Sequence, residues 1–148
     1  MTGRAFLPYG RQTVDDDDIR AVVEVLRSDW LTQGPVVERF ERSLADLCEA
    51  EHAVAVSSGT AALHLAALAG RVEVVKVLLE KGADPNGRDA GGLAPLHLAA
   101  AGGDARTVSA LLAAEADATA AGPGGTPLDV ALAAGAFDVA ELLAPPDR

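Results

Sequence analysis

Leu63-His64-Leu65-Ala66-Ala67 returns 33 residues on as Leu96-His97-Leu98-Ala99-Ala100, and after a further 32 as Leu128-Asp129-Val130-Ala131-Leu132. Gly70, Gly103 and Gly135 follow at the same offsets, and Leu78, Leu111 and Leu143 stand eight residues past each glycine. Three columns kept in register mark an internal repeat. A repeat of this period belongs to a solenoid, in which each unit covers its apolar face with the next. Within the first period, residues 62–69 read as a short helix that breaks at Gly70-Arg71. Residues 72–81 read as a second helix, with Val74, Val75, Leu78 and Leu79 as its apolar stripe. Gly82 sits just past that helix, where a left-handed residue suits glycine. Ala83-Asp84-Pro85-Asn86-Gly87 then turns the chain. The many alanines let two helices and the neighbouring unit approach closely.

The rest of the composition agrees. The chain has 148 residues, enough for one domain or two small ones. Hydrophobic residues make up 49% of it but aromatics only 3%, so the apolar content is Ala, Val and Leu and favours packed helices. A formal net charge of −10 repels phosphate backbones and anionic bilayers, which argues against nucleic acid and membrane as partners. The single cysteine, Cys48, excludes an internal disulfide and a Cys-based zinc cluster, and reads as a small buried apolar residue. There is no apolar run of about 18 residues that would span a bilayer. Residues 1–8 lack the apolar stretch of a signal peptide, so a cytoplasmic location is expected.

The repeat resembles the ankyrin repeat. The likeness lies in Leu63-His64-Leu65-Ala66-Ala67, in residues 70–79 and in Gly82-Ala83-Asp84-Pro85-Asn86. It recurs in Ala94-Pro95-Leu96-His97-Leu98-Ala99 and in Gly124-Gly125-Thr126-Pro127-Leu128. Two departures stand out. Glu115 occupies the place of Gly82, and Asp129 that of the motif histidine. The resemblance implies that His64 and His97 hydrogen-bond backbone at the start of each first helix. The other reading, a metal site, lacks a third ligand, and no metal is expected.

Residues 1–58 carry no echo of the repeat. Asp15-Asp16-Asp17-Asp18 precedes Ile19, Val22, Val23 and Leu26, one face of a helix near 15–28. Acids at that end satisfy free N–H groups and oppose the positive pole of the helix dipole. A calcium loop would need alternating ligands and a closing glutamate, which are missing. Val37, Phe40, Leu44 and Leu47 mark a second amphipathic helix near 36–50. Residues 53–56 read as a short buried strand, expected to stay unpaired or simply extended because no partner strand is evident, followed by Ser57-Ser58-Gly59-Thr60 and a helix. Strand, small polar turn and helix can hold a phosphate on backbone N–H groups. Taken alone, the same four residues are more often a simple helix cap.

Residues 7–66 resemble the N-terminus of the fold-type-I, pyridoxal-phosphate-dependent nucleotide-sugar aminotransferases. They are most similar to the members that act on a UDP-4-keto-6-deoxy sugar in pseudaminic acid synthesis. The likeness rests on residues 8–12, Asp17-Asp18-Ile19, residues 28–35, Phe40-Glu41 and residues 53–63. It implies that Tyr9, Asp29, Trp30, Leu31 and Thr32 lie near a sugar nucleotide. It also implies that Ser58, Gly59 and Thr60 face a cofactor phosphate. The family's Schiff-base lysine and its pyridine-nitrogen aspartate fall in parts of the family sequence absent here. The lysines present, Lys76 and Lys81, sit on the second helix of a repeat.

The expected fold is therefore mainly α. A helical stack of about three ankyrin repeats, near 59–91, 92–123 and 124–146, follows a truncated aminotransferase-like segment, 1–58, with helices and one short strand. The expected function is non-catalytic binding of another protein, without a cofactor. Arg88, Asp89, Leu93, Thr119 and Pro123 in the turns are candidate contacts, unless they are only solvated turn residues. The alternatives are an aminotransferase fragment that retains pyridoxal phosphate, and a fusion without evolved function. Residues 59–69 read as either family, which places the join there.

Overall fold

In the computed structural model, described for residues 13–32 and 34–145, the chain divides between Ala55 and Val56 into two compact units. The described residues form eight helices and no strand. No helix among them is long and apolar enough to cross a membrane.

The first unit holds α1 (Asp16–Arg27) and α2 (Pro35–Leu47). The aspartate run caps α1: Asp15 accepts from the N–H groups of Asp17 and Asp18, and Asp18 returns the favour to the Asp15 N–H. Arg20 pairs with Asp17 on the same helix. Proline opens α2 behind Gly34, and Glu38 pairs with Arg42 along it. The periodicity located both helices, but the burial it suggests is largely missing. No α1 residue is buried, and α2 buries only Ala45. Phe40 and Leu47 are exposed, whereas Val37 and Leu44 are half-buried. Cys48 is exposed rather than buried, because it lies past the end of α2 on a turn with nothing packed over it. The strand expected over 53–56 is absent. No partner strand exists among the described residues, and the Ala55 N–H instead donates to Glu41 Oε1 at 2.8 Å.

The second unit holds six helices: α3 (Gly59–Leu68), α4 (Val72–Glu80), α5 (Pro95–Gly102), α6 (Ala105–Ala113), α7 (Pro127–Ala134) and α8 (Phe137–Leu143). They form three hairpins, α3–α4, α5–α6 and α7–α8. The first helices pack in one row and the second helices in another. The glycine column has a backbone reason: Gly70, Gly103 and Gly135 reverse the chain between paired helices with φ of +63°, +72° and +73°. The leucine columns form the core. Leu63, Leu96 and Leu111 are fully buried, and Leu143 nearly so. Alanines at 66, 67, 99, 100 and 131 are buried between the rows, where larger side chains would hold the helices apart. On α4 the buried pair is Val72 and Val75, and Val74, expected in the stripe, is exposed. The helix starts at Val72 as read, but its inner face runs through Val72, Val75, Leu78 and Leu79, which leaves Val74 outside.

Candidate functional site

The turns between units are built by side chains that reach from one repeat into the next. Asn86 is the main example. Its Nδ2 donates to the Glu115 carbonyl at 3.1 Å, and its Oδ1 accepts the Asp117 N–H at 2.8 Å. Arg88 Nη1 donates to the Gly92 and Ala121 carbonyls, both at 2.7 Å, and so ties two successive fingers together. Asp89 Oδ1 accepts the Leu93 N–H at 2.8 Å and closes its own finger. Thr119 donates from both N–H and hydroxyl to Asp117, and these bonds hold the Asp117 carboxyl below its ordinary range. Pro123 is exposed on the turn between Gly122 and Gly125.

The two histidines are not equivalent. His64 Nδ1 lies 2.7 Å from the Thr60 carbonyl oxygen, inside its own helix start. His97 is fully buried, its Nδ1 accepts the Ala94 N–H at 3.2 Å, and its Nε2 meets no partner. Asp129, in the third position of this column, accepts from the Thr126 N–H and hydroxyl at 2.7 and 2.8 Å. The Thr126 donors hold its carboxyl below the ordinary carboxylate range of pKa. Among the described residues no cluster of three or more His, Cys, Asp or Glu is placed to hold a metal ion.

Beside these turns runs an open groove of about 750 Å³. Ala61, Leu65 and Leu68 of α3 and Leu98 of α5 form its apolar floor, and Arg88, Asp89 and Ala90 flank it. Leu65 and Leu68 are 48% and 47% exposed, although both are large and apolar. Arg88 and Asp89 were legible as candidates, and both line this groove. Leu93, Thr119 and Pro123 lie on the fingers outside its lining. The apolar floor was missed by the sequence reading. It was readable in outline: Leu63, His64, Ala66 and Ala67 take the inner face of α3, so Leu65 and Leu68, three apart, must share another face.

The residues implied by the aminotransferase likeness fall in separate places. Asp29, Trp30, Leu31 and Thr32 are exposed in the connection after α1, and Tyr9 lies outside the described residues. Ser58 caps α3, its Oγ accepting the Ala61 N–H at 3.1 Å. Gly59 and Thr60 border a shallow depression with Lys81 and Asp84. Lys76 is exposed and pairs with Glu73 at 3.2 Å, and Lys81 is exposed as well.

Comparison with known proteins finds two families along the chain. Residues 12–79 match the DegT/DnrJ/EryC1/StrS aminotransferase family. Several curated relatives share this part. One is the UDP-4-amino-4-deoxy-L-arabinose–oxoglutarate aminotransferase of Shewanella sediminis, 48% identical over 63 residues, which is 43% of this chain. Another is the spore coat polysaccharide biosynthesis protein SpsC of Bacillus subtilis, 49% identical over 61 residues, which is 41% of this chain. The match spans only 16% of the length of each of these two relatives. Residues 63–147 match ankyrin repeats in three copies, and the two matches overlap between 63 and 79. The three helix pairs, with left-handed glycines between paired helices and polar fingers between units, are the structure of that second match. Through more than half of its residues, this chain belongs to the ankyrin-repeat family.

Proposed function

We propose that the chain is a non-catalytic protein-interaction module that grips its partner in the groove along α3 and α5. The observation that carries this is the exposure of Leu65 and Leu68 on the floor of the groove, between turns braced by Arg88 and Asp89. Leucines left to water on a rigid frame mark a place where another surface gains by covering them. The partner is a protein. The net charge of −10 disfavours nucleic acid and anionic bilayers, and the exposed Cys48 thiol suits a reducing, cytoplasmic setting.

The test is a selection of binding peptides against the full chain, followed by binding to a Leu65→Glu/Leu68→Glu double variant. Selected peptides should lose affinity for the variant by tenfold or more while its unfolding midpoint stays near the parent's, since about 1.4 kcal/mol corresponds to a factor of ten. Undiminished binding would place the interaction surface elsewhere.

The match over residues 12–79 favours a second reading, a fragment of a sugar-nucleotide aminotransferase that keeps pyridoxal phosphate. The residues in hand suit the cofactor poorly. A Schiff-base amine needs an apolar pocket to lower its proton affinity, whereas both lysines face solvent and Ser58 spends its oxygen on the α3 cap. Adding pyridoxal phosphate to the purified chain and recording the near-violet band distinguishes the readings. A stoichiometric band that Lys81→Ala abolishes would favour the enzyme fragment.

A further inference from the structure

Asn86 is the one asparagine in the chain, and Gly87 follows it. The Asn86 carboxamide joins the first two repeats through the Glu115 carbonyl and the Asp117 N–H. A Cβ at position 87 would come within 2.9 Å of the Thr60 methyl carbon, so a larger residue would have to push that side chain aside. The joint thus carries the dipeptide whose backbone least hinders attack on an asparagine side chain.

We propose that Asn86 is a site of spontaneous deamidation which the folded joint holds closed and whose product unlocks the joint. In this reaction the Gly87 backbone nitrogen attacks Asn86 Cγ, forming a five-membered succinimide. The bond from Cγ to the side-chain nitrogen breaks, and ammonia leaves carrying the proton from the Gly87 amide. Water then opens the ring at either carbonyl, giving aspartate or isoaspartate. Nothing is oxidised or reduced, and water is the only co-reactant.

In the folded stack both reacting groups are engaged. Gly87 N–H donates to the Asp84 carbonyl at 3.3 Å, and the Asn86 N–H donates to Asp84 Oδ1 at 2.8 Å. The carboxamide is held at both ends by the second repeat. Attack therefore waits on local opening of the joint, and the rate follows the open fraction. The product cannot rebuild what it leaves. A carboxylate has no N–H to give Glu115, and its charge arrives beside Asp84 and Asp117. Isoaspartate also lengthens the turn by one backbone carbon. Each opening thus risks a permanent loss of the first inter-repeat contact.

The test uses the full chain in mildly alkaline buffer, sampled over time, folded and in concentrated urea. Trypsin cuts after Lys81 and Arg88 and releases residues 82–88, whose amide-to-acid mass gain and two product isomers are read by chromatography and mass spectrometry. Conversion should be about tenfold slower folded than in urea. Leu111→Ala, which loosens the core beneath the Glu115 turn, should fall between the two. Equal rates folded and in urea would overturn the protection, and no conversion in urea would overturn the site. Asn86→Asp, made directly, should unfold at a lower midpoint than the parent. An unchanged midpoint would overturn the claim that the product weakens the joint.

Discussion

His64 Nε2 lies 2.9 Å from the carbonyl oxygen of Leu93, 29 residues further along the chain. A side chain at the start of the first helix pair thereby holds the entrance to the second. In the third unit Asp129 stands in the same column and turns its carboxylate back onto Thr126. One position in the repeat thus serves two purposes: the His64 ring reaches the next unit, whereas His97 and Asp129 accept N–H groups at the start of their own helices.

Replacing His64 with alanine removes the buried ring that meets the Thr60 and Leu93 oxygens. The expected loss is about 1–3 kcal/mol, the cost of stranding polar groups that folding had paired. Urea unfolding followed by far-UV circular dichroism measures it. A midpoint equal to the parent's would mean that the histidine holds nothing.

Glu115 has a φ of +62°, in the place where the first repeat has Gly82 at +87°. A side chain in that region costs roughly 1–2 kcal/mol, and glycine avoids it. Glu115→Gly should therefore raise stability by about 1 kcal/mol, part of the relief being offset by the freer unfolded chain. Stability that falls in this variant would show that the glutamate side chain makes up for its backbone.

Leu96 is fully buried at the centre of the stack. Leu96→Ala should cost about 2–5 kcal/mol, the transfer loss plus the cavity left behind. Calorimetry at matched concentration checks this, and a change below about 1 kcal/mol would move the core elsewhere.

Asp104, Asp117 and Asp129 all titrate below their ordinary range, through hydrogen bonds from Thr107, Thr119 and Thr126 respectively. A carboxyl depressed in the folded state contributes stability above its unfolded value, and that stability is lost as pH falls through the folded one. The unfolding midpoint should stay level from neutrality down to about pH 4 and drop below it. In a chain carrying all three aspartates as asparagine, this acid limb should flatten. A midpoint that already declines between neutrality and pH 5 in the parent would point to other groups.

The stack was legible because its signals are local and repeated. A glycine forced to positive φ at 70, 103 and 135, and a leucine buried at 63 and 96, leave the same residue at the same spacing. The two N-terminal helices were legible for a similar reason, since Asp15 and its neighbours declare a helix start by themselves. What the pattern misjudged was burial. Residues 53–56 have the composition of a buried strand, but with no ladder beside them they form no strand, and residues 54–56 are exposed. Cys48 has the character of a core residue and lies on a turn with nothing above it. The groove floor is less legible because its leucines carry the same residue type as the core columns, although Leu65 and Leu68 cannot face inward beside Leu63 and Ala66.

The stretch from 63 to 79, where the two family patterns overlap, begins inside α3. Ser58 caps that helix, and Leu63, Ala66 and Ala67 bury its inner face. A phosphate-binding turn and a solenoid hairpin make the same local demands of such a helix: a small capping hydroxyl, a tight start and small side chains within. Exchange of ancestry at this point therefore leaves no seam. One family pattern gives way to the other midway along a single helix whose cap and buried face serve both.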